Sequence, residues 1–314
     1  MSRPRQLRGK ETGLIEILLS AATRERLRHE IAGVLAQRPH RLITPDEARG
    51  AAIDIAFISR DVTGGSSKTQ LERSLLDFYV PLRAASRLTW VHTHSAGADR
   101  PIFPELLQRG VRVTTSSGAN APIVAQTAVG AVLALARRFP RLAAAQRDRA
   151  WRQLLTDAPP PLAGQTAVVV GFGPIGQRIA KLLEAFELNV RIVRRSASTA
   201  NSFSFDDVDL ALHDADWLIL ACPLTPQTDR LIDARRLGLL ADGAHVINVA
   251  RGEVLVQADL IDALAQCKLA GAYLDVFEQE PLVAASPLWD LPNVIVSPHS
   301  AGHSSGNAAV VDRM

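Results

Sequence analysis

Three charged side chains in the last quarter of this 314-residue chain stand in segments whose residue types could do chemistry together. Arg251 lies in Asn248-Val-Ala-Arg-Gly-Glu-Val-Leu255, Glu280 in Leu274-Asp-Val-Phe-Glu-Gln-Glu-Pro-Leu282, and His299 in Ser297-Pro-His-Ser-Ala-Gly302. A guanidinium can hold an oxyacid and stabilise charge growing on a carbonyl oxygen. An imidazole can move a proton, and a carboxylate beside it favours the protonated ring and fixes its tautomer. These are the parts required to reduce a ketone next to a carboxylate, provided that a hydride donor is supplied.

The glycine pattern for such a donor stands upstream. Val168-Val-Val-Gly-Phe-Gly-Pro-Ile-Gly176 carries G-x-G-x-x-G directly after an apolar run, and Gln177–Phe186 reads as the helix it opens. Gly171 allows the tight turn, Gly173 lets backbone approach a pyrophosphate, and Gly176 packs the helix against the sheet. Pro174 suits a first helical turn, where its missing N–H costs little, and Ile175 completes the loop. The end of the next strand indicates the coenzyme. An acid there would bond a ribose 2′-hydroxyl, but the chain reads Arg191-Ile-Val-Arg-Arg-Ser196. Arg194, Arg195 and Ser196 offer donors to a 2′-phosphate instead. NADP(H) is therefore expected as the preferred coenzyme, with NAD(H) usable.

The elements that must position these groups fall into two alternations. Between residues 14 and 115, apolar runs at Leu14–Leu19, Ile53–Ser59, Leu71–Tyr79, Thr89–Val91 and Val111–Thr115 alternate with amphipathic stretches such as Arg24–Gln37, which predicts a small parallel sheet. Ile123–Phe139 reads as a long apolar helix ending at Pro140, followed by an Arg-rich helix over Leu142–Leu155; the triple proline 159–161 then breaks the chain. Six strands follow, at Ala167–Val170, Val190–Val193, Trp217–Ala221, His245–Val249, Gly271–Leu274 and Val294–Val296, the count of a doubly wound dinucleotide-binding domain.

Composition narrows the class. Hydrophobic residues make up 47% and charged residues 21%, as in ordinary globular proteins. The net charge of +3 comes from 31 Arg and 4 Lys scattered along the chain, without a basic stripe, so no nucleic-acid partner is expected. Arg3, Arg5, Arg8 and Lys10 precede Leu14–Leu19, but Glu16 interrupts that run, which argues for a first strand after a basic tail rather than a signal peptide. With no run fit to cross a bilayer, a cytoplasmic protein without a membrane partner is expected. Cys222 and Cys267 read as reduced, buried thiols. His92 and His94 form an H-x-H without a third ligand, so no metal is expected, and a place at the mouth of the substrate pocket is the better reading.

With these residues in view, the chain resembles the D-isomer-specific 2-hydroxyacid dehydrogenases, and the glyoxylate and hydroxypyruvate reductases among them. The likeness spans nearly the whole sequence: Ser95-Ala-Gly-Ala-Asp99, the glycine loop, Cys222-Pro-Leu-Thr-Pro-Gln-Thr228 and the three segments quoted first. It implies an α/β protein of two doubly wound parallel-sheet domains, a flavodoxin-like substrate domain over 1–118 rejoined by 298–314, and a Rossmann NAD(P)-binding domain over 119–297, with the site in the cleft. Arg251 would grip the substrate carboxylate and 2-oxo oxygen, His299 would give the proton, and Glu280 would bond the other imidazole nitrogen. Ser95 and the N–H groups of Ala96 and Gly97 would bind substrate. Cys222, Pro223, Thr228, Val249 and Ala250 would contact the nucleotide, and Asp275 would lie near the nicotinamide.

The resemblance further implies a homodimer built on the 123–155 helices, a small 2-oxo or 2-hydroxy acid as substrate, and a last helix running beyond Met314. Alternatives within the same fold are an NAD-dependent phosphoglycerate-type dehydrogenase and a nicotinamide-sensing binding protein without turnover. The NADP-type strand end argues against the first.

Overall fold

The computed structural model describes residues 13–66, 70–155, 157–196 and 201–314. The basic tail with Arg3, Arg5, Arg8 and Lys10 lies outside the described residues. The described residues up to Ser116 form one compact unit with Ala308–Met314, and Ser117–Asn307 form the other.

In the first unit the chain runs β1 (Ile15–Leu18), α1 (Ala21–Leu35), β2 (His40–Ile43), β3 (Ile55–Ile58), α2 (Arg60–Thr63), α3 (Arg73–Ala84), β4 (Trp90–Thr93), α4 (Ile102–Gln108) and β5 (Arg112–Thr115). The strands pair in parallel in the order β2-β1-β3-β4-β5, which is the flavodoxin-like order. Leu18, Ala56, Ile58, Phe78, Leu82, Val91 and Phe103 form its core. Strand β2 was not foreseen, because His40-Arg-Leu-Ile43 has only two apolar residues. The run Leu71–Tyr79 proves to lie largely in helix α3, whose buried Leu75, Phe78, Tyr79 and Leu82 recur at helical spacing.

The second unit continues with α5 (Ala121–Ala136), α6 (Phe139–Arg147), β6 (Thr166–Val170), α7 (Pro174–Ala185), β7 (Asn189–Val193), β8 (Ser202–Phe203), α8 (Val208–Leu212), β9 (Trp217–Leu220), α9 (Ala234–Gly238), β10 (Ala244–Asn248), α10 (Gln257–Ala265), β11 (Leu269–Leu274) and β12 (Val294–Val296). The sheet order β12-β11-β10-β9-β6-β7-β8, all parallel, is that of a Rossmann domain with a seventh strand. Along β6 and β9, alternate residues enter opposite cores: Val168, Val170, Leu218 and Leu220 on one face, Ala167, Val169, Trp217 and Ile219 on the other. Burial on both faces is why these strands read as unbroken apolar runs. Helices α5 and α7 supply Ala128, Val132, Ile179 and Leu183 to one core, while α8, α9 and α10 supply Leu212, Leu237, Leu260 and Leu264 to the other.

The Arg-rich helix starts at Phe139 and ends at Arg147, because Arg138 adopts a left-handed φ of 55° that closes α5, and Pro140 then occupies the first turn of α6. Residues 298–307, expected with the first domain, belong to the second unit. The Ala301 carbonyl accepts from Thr127 on α5 (2.9 Å), and the Ser300 and Ala301 amides donate to Asp275. The chain re-enters the first unit only at Ala308, within the last helix, α11 (Asn307–Asp312), where Asp312 accepts two hydrogen bonds from Arg26 of α1 (2.7 and 3.2 Å). Cys222 is buried as expected, but Cys267 is exposed, just past the end of α10 with φ 58°. Among the described residues no helix is long and apolar enough to cross a membrane.

Paired across β9 and β10, Trp217 and His245 stack with ring centroids 4.3 Å apart. Burial, helped by the charge of Arg138, pushes the His245 imidazole down to about 4. The unfolded chain binds a proton near pH 6.5 that the folded ring refuses, so stability is full above that pH and falls as pH drops toward 4. The largest loss from this group is about 3 kcal/mol. Urea denaturation of wild type and His245→Phe at pH 7 and pH 4.5 checks this: the variant should lose less stability on acidification, and an equal loss would contradict the assignment.

Candidate functional site

The three segments of interest follow the carboxyl ends of β10, β11 and β12, neighbours at one side of the second sheet. Asn248, buried at the end of β10, makes its own turn: its Oδ1 accepts from the Ala250 N–H (3.0 Å) and its Nδ2 donates to the Arg251 carbonyl (3.1 Å). Arg251 is thereby held in extended backbone (φ −143°, ψ 148°), and its Nη1 donates to the Ala250 carbonyl (2.7 Å). The next residue is Gly252, where a Cβ would overlap the carbonyl of Phe277. The exits of β10 and β11 thus touch backbone to backbone.

Past β11, Glu280 folds back on its own loop, with Oε1 accepting from the Phe277 N–H (3.1 Å). Its Oε2 lies 2.8 Å from Nδ1 of His299. Since a carboxylate only accepts, Nδ1 carries the proton and Nε2 is the end left for chemistry. His299 has φ 50°, an uncommon state for a non-glycine residue, and its N–H donates to the carbonyls of Asp275 (2.8 Å) and Ser297 (3.0 Å).

Asp275, 3% exposed, closes this arrangement. Its carboxylate accepts from the Ser297 hydroxyl (2.6 Å), the Ser300 N–H (2.7 Å) and the Ala301 N–H (3.0 Å). Tyr273 lies 2.6 Å from the same Ser297 hydroxyl. These contacts tie the β11 exit to the turn after β12.

The nucleotide signature occupies the switch point of the same sheet, between β6 and β9. Gly171 has φ 100°, and a Cβ there would stand 2.6 Å from the Ala221 carbonyl oxygen and the Cys222 backbone. A Cβ at Gly176 would overlap the Gly171 carbonyl. Gly173 precedes α7, of which Pro174, Ile175 and Gly176 form the first turn. These contacts make the bare-backbone cradle and helix start that suit a pyrophosphate. Beyond β7, the Arg194 guanidinium lies over the ring of Phe172, 5.5 Å from its centroid, while Arg195 and Ser196 are exposed. The residues present fit a dinucleotide.

Other predicted contacts are less open. The Cys222 thiol is buried and pushed up to about 12 by that burial, with Arg251 opposing the shift, so it stays a neutral wall of the loop. The Thr228 hydroxyl donates to the Pro223 carbonyl (2.7 Å) and accepts from the Thr225 N–H (2.8 Å), which folds the Pro223–Thr228 loop on itself. Val249 and Ala250 are buried beside Arg251.

In the first unit, Ser95, Ala96 and Gly97 form the turn after β4. Ser95 donates to the Gly97 carbonyl (2.7 Å), and the N–H groups of Ala96 and Gly97 bond to no described residue. His92 sits between the hydroxyls of Thr114 (2.8 Å) and Ser116 (3.0 Å), and His94 meets that of Thr63 (3.0 Å). Burial, helped by Arg60 and Arg100, pushes His94 down to about 4.

A family profile described as D-isomer specific 2-hydroxyacid dehydrogenase, NAD binding domain, matches residues 129–301. The chain is 37% identical to a glyoxylate reductase of Thermofilum pendens over 69% of its own length and 67% of the relative's. The chain belongs to the D-isomer specific 2-hydroxyacid dehydrogenases. A glyoxylate/hydroxypyruvate reductase A of Arabidopsis thaliana is 35% identical over 67% of each chain. Among solved structures, a D-isomer specific 2-hydroxyacid dehydrogenase from Xanthobacter autotrophicus, in complex with NADPH, superposes with a TM-score of 0.72 at 27% identity, over 95% of this chain and 91% of that one. As a member of this family the protein is an NAD(P)-dependent oxidoreductase.

Sequence reading missed Asn248, Gly252 and Ser297, which carry no reactive group yet set the dehydrogenase's geometry. Gly252→Ala is the sharpest test. The added methyl must push Phe277 away, so chemical denaturation should show a loss of about 1–3 kcal/mol, accompanied by reduced turnover. Unchanged stability and turnover would refute the close approach.

Proposed function

We propose that this dehydrogenase reduces a small 2-oxo acid of the glyoxylate or hydroxypyruvate type to the D-2-hydroxy acid, with NADP(H) preferred over NAD(H). The observation that carries the reading is the 2.8 Å contact between Glu280 and Nδ1 of His299, which leaves Nε2 to act. When bound, the coenzyme supplies the hydride. As the carbonyl carbon is reduced, its π electrons move to oxygen. His299 Nε2 gives that oxygen a proton, and Glu280 stabilises the imidazolium before transfer. Arg251 holds the carboxylate and counters the charge growing on oxygen. Ser95 and the N–H groups of Ala96 and Gly97 are assigned to the carboxylate as well.

The coenzyme assignment rests on Arg194, Arg195 and Ser196 and on the lack of an acid at the end of β7. Gly171, Gly173, Pro174, Ile175 and Gly176 hold the pyrophosphate, Cys222, Pro223, Thr228, Val249 and Ala250 bound the groove, and Asp275 sets the nicotinamide end by fixing the His299 turn. Relatives named for glyoxylate and hydroxypyruvate reduction support a small substrate. Exposed Phe139 and Trp151, the latter 92% exposed, support dimer contacts through the 123–155 region. The free thiols of Cys222 and Cys267 fit a reducing, cytoplasmic setting.

A panel of glyoxylate, hydroxypyruvate, pyruvate and bulkier 2-oxo acids with NADPH and NADH should show fastest oxidation of NADPH with a small substrate. Equal or better use of NADH would overturn the coenzyme assignment. His299→Ala should lower turnover by roughly 10²- to 10⁴-fold while NADPH affinity is kept. Retained turnover would remove His299 from the mechanism.

A further inference from the structure

The second position of the glycine loop is free in the G-x-G-x-x-G pattern, and here it holds an aromatic ring, Phe172. Phe172 is pinned between Gly171, whose φ of 100° no side chain tolerates well, and Gly173. Its carbonyl accepts from Gln177 of α7 (3.1 Å), and its ring packs at the edge of the core formed with Ile179 and Leu183. The carbon of the Arg194 guanidinium lies over that ring, 5.5 Å from its centroid. The Arg194 backbone is fixed too, with its N–H donating to the Phe203 carbonyl of β8 (3.0 Å).

We infer that Phe172 is a positioning residue for coenzyme selectivity, holding the Arg194 guanidinium in place to receive a 2′-phosphate. This rests on the NADPH reading above. A guanidinium held over a ring has fewer orientations open to it, and its planar fork suits a phosphate. Arginine loses much rotamer freedom when a ligand immobilises it, and the contact with the ring removes part of that loss before the ligand arrives. The gain reaches only ligands that touch the guanidinium, so a nucleotide with a bare 2′-hydroxyl has no share in it. Phe172 therefore acts on the ratio of affinities rather than on dinucleotide binding as such.

The test uses binding of fragments, which needs no turnover. Calorimetric titration of the full-length protein with 2′,5′-ADP and with 5′-AMP isolates the 2′-phosphate. Wild type should prefer 2′,5′-ADP. Phe172→Leu should lose roughly three- to ten-fold in 2′,5′-ADP affinity with 5′-AMP affinity kept, and Phe172→Tyr, which retains the ring face, should restore the preference. If wild type shows no preference for 2′,5′-ADP, the NADPH reading falls and this inference with it. If wild type prefers it but Phe172→Leu keeps the ratio, or loses both ligands equally, the role of Phe172 alone is overturned.

Discussion

The site depends on one buried carboxylate. Asp275 ends β11 and takes hydrogen bonds from the Ser297 hydroxyl and the Ser300 and Ala301 amides that follow β12, while its carbonyl takes the His299 amide. Burying a carboxylate is costly unless such donors replace water, and here they come from the very turn that carries the imidazole. Charge satisfaction and placement of His299 are therefore one event. The same loop reaches Glu280 five residues later, so the imidazole and its orienting carboxylate are referred to a common anchor. The left-handed φ of His299 is tolerable because its turn is held from several sides.

Parallel topology explains why chemistry concentrates here. In a parallel sheet every strand exits at the same edge, so the ends of β10, β11 and β12 deliver Arg251, Glu280 and His299, and the ends of β6, β7 and β9 deliver the nucleotide elements. Two glycines set the spacing. Gly171 brings the β6 exit against the β9 exit, and Gly252 brings the β10 exit against that of β11. Each is a place where backbone meets backbone, and where a single methyl would force neighbouring exits apart.

Much of this was legible in the sequence. Strands buried on both faces leave continuous apolar runs, and Gly171, Gly176, Arg194 and the trio announce themselves by type and spacing. What was hidden depends on partners far along the chain. The donors to Asp275 lie 22 to 26 residues away, so its tie to the turn after β12 leaves no local mark in the sequence. The start of α6 was misplaced because the left-handed turn at Arg138 has no sequence mark, and β2 and β8 are too short or too polar to show a period. The place of Phe172 has no mark in the sequence, because the motif constrains only its neighbours.

That Asp275 serves the reaction by fixing the His299 turn is tested most directly by Asp275→Asn, with NADPH affinity and saturated turnover measured on the same preparation. The three donors converge on Oδ1, with the Ala301 N–H shared with Oδ2; an amide keeps the shape but removes the negative charge they gather around and turns an NH2 group toward the Ala301 N–H, so the turn should loosen. Turnover should then fall by on the order of 10²-fold, as small misplacements of reacting groups do, with NADPH affinity nearly kept. Turnover at saturation like that of wild type, with NADPH affinity lost instead, would contradict it.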